Sequence, residues 1–133
     1  MLTMMQSLML INLEGRDKMS LDIVKKIVKA LDDKKANDIQ VMKTGELTIV
    51  ADYFVIATAN SNTHVRALAD EVEYQLEEAG ITADHVEGRA TGWLLLEYQG
   101  VVVHIFLEES RNYYNLERLW EDAEKIDISG MID

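Results

Sequence analysis

The chain contains no cysteine and no proline, and only 7 of its 133 residues are glycine. Without cysteine there is no disulfide framework and no thiolate metal site, and nothing ties the protein to an oxidising compartment. Without proline, the turns fall to glycine and to polar side chains. Aromatic residues make up only 7% of the chain, so the position of each tryptophan carries information. Basic residues are scarce in one half. Residues 1–50 hold 8 Lys and Arg against 7 Asp and Glu, whereas residues 51–133 hold 5 against 17. Binding to a phosphate backbone normally rests on a basic stripe, so direct nucleic-acid binding is disfavoured. A basic protein partner is favoured instead, because opposite fields speed and orient encounter; the acidity also serves solubility. Long hydrophobic runs are missing as well. The apolar N-terminal stretch through Leu13 has no basic residue ahead of it and no small-residue cleavage site behind it, and it is too short to span a bilayer. Residues 1–19 are expected to form a poorly ordered extension, or to follow a start upstream of the working one at Met19. The expected location is cytoplasmic.

What is present suits a folded domain. Hydrophobic residues are 48% of the chain and charged residues 28%, and the length allows one core. The expected domain covers residues 20–124, followed by a frayed tail over 125–133. A first helix is predicted from Ser20 as its N-cap, with Asp22 in the first turn and Val24, Ile27, Val28 and Leu31 as its apolar stripe. Asp32 to Lys35 end it. Asp38 to Lys43 alternate like a strand with one wet face, Thr44-Gly45 turn the chain, and Leu47 to Val50 follow as part of a second hairpin or a bent strand. The run Asp52 to Ala59 reads as a strand buried on both faces. Ser61 then caps a second helix carrying Val65, Leu68, Ala69, Val72 and Leu76, with Gly80 at the C′ position. Thr82 to Val86 suggest a short strand, and Glu87 to Gly92 a loop. A last helix is predicted after Leu107, with Tyr113, Leu116, Leu119, Trp120 and Ala123 on its inner side.

The stretch Trp93 to Phe106 organises the rest. Two apolar runs flank Gln99-Gly100, the pattern of an antiparallel hairpin at the centre of a sheet. Alternation places Trp93, Leu95 and Glu97 on one face and Leu94, Leu96 and Tyr98 on the other. An ionised carboxylate is too costly to bury unpaired, so Glu97 must be paired or face solvent or a partner. The face holding Trp93 and Glu97 is therefore the first place to look for function.

Chemistry of other kinds finds little support. The turn Thr58 to His64 sits between strand and helix, where a nucleophile elbow or phosphate loop would lie, but it contains no glycine. Free N–H groups there could hold an anion; Ser61 as a simple helix cap is the plainer reading. His64, His85 and His104 are the only histidines, and none stands at metal-ligand spacing from another. His64 is expected at the surface, and His104 as a satisfied sheet histidine or part of a contact surface. Asp52 is followed by Tyr53 and Phe54, so the carboxylate pair required for metal-dependent nucleotidyl transfer is missing. No cofactor, no metal and no catalytic residue are expected.

Asp52-Tyr53-Phe54-Val55-Ile56, Ser61 with His64-Val65, Glu87-Gly88, Gly92-Trp93, Gly100 to Phe106, Arg111 and Tyr114 to Trp120 together resemble the ribosomal silencing factor family, also called Iojap-like. The resemblance runs from about Ser20 to Glu121. It implies an α/β single domain, a mixed β-sheet flanked by helices, of nucleotidyltransferase-like architecture without catalytic residues. It also implies a translational repressor that binds the large ribosomal subunit through its protein fourteen and blocks joining of the small subunit when nutrients are limiting. The chain departs from the family pattern at Ala59, where Gly is usual, at Thr63, where Arg is usual, and at Glu97, where Asp is common. The expected contact surface centres on Trp93 and Glu97, with Glu87, Tyr98, His104 and Arg111 beside them. Against this stand two rival readings: a nucleotide-binding or nucleotidyltransferase-type enzyme using the turn near Ser61, and a homodimer built on the Trp93 face.

Overall fold

The computed structural model describes residues 4–44, 51–88, 92–109 and 123–132, with side chains described from residue 18 onward. Helix α1 (Met4–Asp33) leads into strand β1 (Asn37–Lys43), then β2 (Tyr53–Ala59), helix α2 (Asn62–Glu78), β3 (His85–Glu87), β4 (Trp93–Tyr98), β5 (Val101–Leu107) and β6 (Glu124–Ile126). The six strands form one mixed sheet in the order β3-β4-β5-β2-β1-β6. Strands β2 and β5 run parallel, and every other neighbouring pair is antiparallel. The single-domain α/β fold expected from the residues is the fold observed.

Helix α1 lays its Val24, Ile27, Val28 and Leu31 stripe on the sheet, all fully buried, and α2 does the same with Val65, Leu68, Ala69, Val72 and Leu76. Both meet the same face, formed by Tyr53, Val55, Ala57 and Ala59 of β2, Leu94, Leu96 and Tyr98 of β4, and Val101, Val103 and Ile105 of β5. Each Val, Leu or Ile of this cluster taken from water contributes about 1.5–3 kcal/mol, so this face dominates the stability. The opposite face gathers a smaller cluster of Met42, Ile56, Phe106 and Ala123, with Phe54 and Trp93 packed against it.

The predicted caps of α2 hold. Ser61 Oγ accepts the backbone N–H of His64 at 3.1 Å, and Gly80 follows the C-cap with φ of 80°. The hairpin between β4 and β5 turns through Gln99 and Gly100, both at positive φ. This suits the primed turns that match strand twist. A side chain at Gly100 would meet the Asp52 carboxylate at 2.6 Å. That carboxylate accepts from Ser20 Oγ at 3.0 Å, and Asp52 N–H donates to the Gly100 carbonyl at 2.6 Å. The turn is thereby tied to α1.

Three expectations change. Helix α1 runs back to Met4, so Ser20 is a buried internal residue bonded to Asp52 rather than an N-cap. Helix geometry simply continues through a residue whose hydroxyl has a tertiary partner. Lys125 and Ile126, expected in the frayed tail, pair together with Glu124 against β1 as an edge strand; three residues are too few to show a period. Glu87, expected in a loop, ends β3 opposite Leu95. The segment Leu47 to Val50 and most of the predicted last helix, including Tyr113 to Trp120, lie outside the described residues.

Candidate functional site

On the sheet face opposite α1 and α2, the strand registers set the neighbours. Trp93 stands opposite Phe106, Leu95 opposite His104, and Glu97 opposite Val102. On the other side of β4, Glu87 stands opposite Leu95 and His85 opposite Glu97. Facing residues share a face, so His85, Glu87, Trp93, Leu95 and Glu97 form one contiguous patch at the β3–β4 end of the sheet. Towards the middle of the sheet the same face closes over: Met42, Ile56, Phe106 and His104 are buried. The three β4 residues remain half-buried and the two β3 residues exposed.

Trp93 is held in place. Its indole Nε1–H donates to His104 Nδ1 at 3.1 Å, and its ring stacks on Phe106 with centroids 5.0 Å apart and planes at 26°. Phe54 closes on the imidazole from β2 at 5.0 Å. Since Nδ1 accepts, the neutral ring carries its proton on Nε2. That atom is buried with no hydrogen-bond partner among the described residues. Burial pushes the His104 pKa down to about 4, so the imidazole is neutral at physiological pH and its Nδ1 is available to accept the indole N–H.

The edge strand has different electrostatics. His85 Nε2 is paired with Glu87 Oε1. This hydrogen bond, and then the charge of the carboxylate, raise the His85 pKa above its usual value. Glu87, Gly88, Trp93 and Leu95 line an open depression of about 250 Å³.

The expected contact residues therefore separate. Trp93, Glu97 and Glu87 come together on one accessible patch. Tyr98 does not: it is fully buried on the helix side, as the alternation along β4 requires, and is a core residue rather than a neighbour of the patch. His104 lies beneath Trp93 and supports it without reaching the surface. Arg111 lies outside the described residues. Leu95 and His85 belong to the patch although neither is an expected contact; alternation alone already places Leu95 there, whereas His85 joins it only through the pairing of β3 with β4.

The turn near Ser61 is occupied by its own bonds. Besides the Ser61 cap, the Asn60 N–H donates to His64 Nδ1 at 2.9 Å, and His64 Nε2 donates to the Lys34 carbonyl at 2.8 Å. His64 thus joins the start of α2 to the end of α1. Among the described residues no group of three or more His, Cys, Asp or Glu is placed to hold a metal ion, and no helix is long and apolar enough to cross a membrane.

Comparison with known proteins places this geometry. The family described as "Ribosomal silencing factor during starvation" matches residues 17–133. The Ribosomal silencing factor RsfS of Bacillus subtilis is 42% identical over 107 residues, covering 80% of this chain and 91% of that protein. The chloroplastic protein Iojap of Zea mays is 32% identical over 102 residues, which is 77% of this chain and 45% of that longer protein. A crystal structure of a Chromobacterium violaceum protein superposes with a TM-score of 0.74 at 36% identity, covering 82% of this chain and 91% of that one. One from Bacillus halodurans superposes with a TM-score of 0.72 at 33% identity, covering 80% and 98%. With the family match spanning nearly the whole domain and the fold shared at this level of identity, the chain belongs to the ribosomal silencing factor family.

Proposed function

We propose that this protein is a translational repressor of the cytoplasm that binds the large ribosomal subunit through its protein fourteen and keeps the small subunit from joining when nutrients are limiting. One observation carries the surface assignment: among the described residues, the accessible part of the sheet face opposite α1 and α2 is an aromatic and acidic patch, Trp93, Leu95 and Glu97 with Glu87 alongside. Tryptophan is a common anchor of protein interfaces, and a carboxylate rim suits a basic ribosomal protein. The acidic balance of residues 51–133 supports the same partner. Steric occlusion is a sufficient mechanism and needs no covalent step, and the bonds that occupy the Ser61 turn give an enzymatic role there no support. A homodimer on the same patch would bring like charges together and is disfavoured.

The test is co-sedimentation with isolated large subunits, followed by addition of small subunits. The protein is expected to travel with the large subunit and to reduce the associated particle. Trp93→Ala should weaken the binding by about 2 kcal/mol, a typical loss at an interface anchor. Unchanged co-sedimentation of a variant with a native circular-dichroism spectrum would remove Trp93 from the interface.

A further inference from the structure

We propose that the hollow between helix α1 and the segment after β6 is a binding site for a compact polyphosphate, of the kind a nucleoside diphosphate or triphosphate carries. It lies on the side of the sheet that α1 covers, away from Trp93, and it does not depend on the reading of the Trp93 patch. The lining is Asp22, Lys25, Lys26 and Lys29 of α1 with Gly130 and Met131 opposite, around about 370 Å³. That volume falls within the roughly 300–1,000 Å³ of small-molecule sites.

Both walls are built by the fold. Val24, Ile27, Val28 and Leu31 are buried against the sheet, so helical spacing turns Asp22, Lys25, Lys26 and Lys29 outward, where all four are exposed. Residues three and four apart are neighbours on a helix, which sets Lys29 one turn beyond both Lys25 and Lys26. The facing wall is an ordered stretch of chain. Ile128, Met131 and Ile132 pack against the main core, the Met131 N–H donates to the Ile128 carbonyl at 2.8 Å, and the Ser129 N–H donates to the Asp127 carboxylate at 2.9 Å.

Space and charge are both available there. A Cβ added at Gly130 would meet no atom within 4 Å, so the hollow is open beside it. Lys29 is already engaged within the protein, whereas among the described residues Lys25 and Lys26 have no hydrogen-bond or ion-pair partner. Each ammonium offers three donors and no acceptor, which suits phosphate oxygens and nothing cationic. The three ammonium groups outweigh the Asp22 carboxylate, so this lining is basic in a chain of net charge −11. The overall field repels anions, and exposed charges act only over about 8 Å at physiological ionic strength. A ligand with several charges on adjacent phosphorus atoms gains most from so local a site. An RNA backbone, with one charge per phosphate and acidic surface to cross, gains least.

The experiment is an NMR titration of the full chain with inorganic pyrophosphate, compared with adenosine diphosphate, inorganic phosphate and hexauridylate at matched ionic strength. Pyrophosphate and adenosine diphosphate should each produce saturable shifts at the Lys26, Gly130 and Met131 amides and leave the Trp93 indole N–H unmoved. Inorganic phosphate and hexauridylate should each bind more weakly by about fivefold, as fewer charges reach the ammonium groups at once. Lys25→Gln combined with Lys26→Gln should weaken pyrophosphate binding about tenfold, and Asp22→Asn should tighten it about threefold, in proteins with the circular-dichroism spectrum of the parent. No saturation with pyrophosphate or with adenosine diphosphate, binding indifferent to the two lysines, or tighter binding of hexauridylate would overturn the site. The double lysine variant should still co-sediment with large subunits like the parent; a loss there would give these lysines to the subunit and overturn the assignment to a free polyphosphate.

Discussion

The two faces of the central sheet are built from alternate residues of the same strands, yet they do different work. On the helix side, Leu94, Leu96 and Tyr98 of β4 are fully buried beneath two helices. On the other side, Trp93, Leu95 and Glu97 of that strand are only half-buried, and they sit above an aromatic and imidazole layer rather than an aliphatic one. The first face is interchangeable apolar volume, and its role is stability. The second contains groups whose orientation matters: an indole fixed by a hydrogen bond, a histidine held neutral by burial, and carboxylates at the accessible edge. One side of the sheet can thus be recruited to a partner without disturbing what holds the domain together.

That division can be broken most sharply from the helix side. Leu96→Ala should cost about 2–5 kcal/mol of stability, as large-to-small core changes do, measured by urea denaturation. The fraction that stays folded should bind large subunits as well as the parent, because the altered side chain points away from the patch. A binding defect in excess of the unfolding would erase the distinction between the faces.

The layer beneath the patch should betray itself through pH. His104 has a folded pKa of about 4 against an ordinary 6.5, so the unfolded chain takes up its proton first as pH falls. The stability linked to this group is fully present above pH 6.5 and is lost as pH falls towards 4, by on the order of 3 kcal/mol. Carboxylates contribute their own acid sensitivity, so the comparison is between parent and His104→Gln. The variant should lose less stability over that interval, and parallel curves would show that His104 is not held neutral in the fold.

At the accessible edge the effects are smaller. Glu97→Lys should weaken large-subunit binding, more at low salt than at high salt, because exposed charges are screened over about 8 Å at physiological ionic strength. An effect independent of salt would mean that Glu97 acts through packing. Least of all, Glu87→Gln should move the His85 pKa back down towards its usual value, followed by NMR of the imidazole, with little change in stability. A His85 titration indifferent to the substitution would dissolve the pairing at the edge strand.

Much of this was legible along the chain. Periodicity placed α2 and its caps, and the Gln99-Gly100 turn between two β-rich runs gave the hairpin with the correct alternation. The start of α1 was not legible, because Ser20 carries a capping residue's side chain while its hydroxyl is bonded to Asp52, 32 positions away. Strand β6 was not legible because three residues have no period to read, and its partner lies some 80 positions earlier. Among the expected contacts, Tyr98 failed for a reason already contained in the alternation: neighbours in sequence on a strand point to opposite faces.

The sequence by itself determined that Trp93, Leu95 and Glu97 share one side of a strand, that the second half of the chain is acidic, and that Asp52 is followed by Tyr53 and Phe54 rather than by a second carboxylate. These are local facts, because the period of a strand and the sign of a charge do not depend on what the strand packs against. Only the tertiary structure decided which side of β4 faces α1 and α2, that β3 brings Glu87 and His85 beside the tryptophan, and that His104 lies beneath it as a buried acceptor. Those outcomes depend on strand order and register, which are set by contacts between residues far apart in the chain and leave no mark in any single stretch of it.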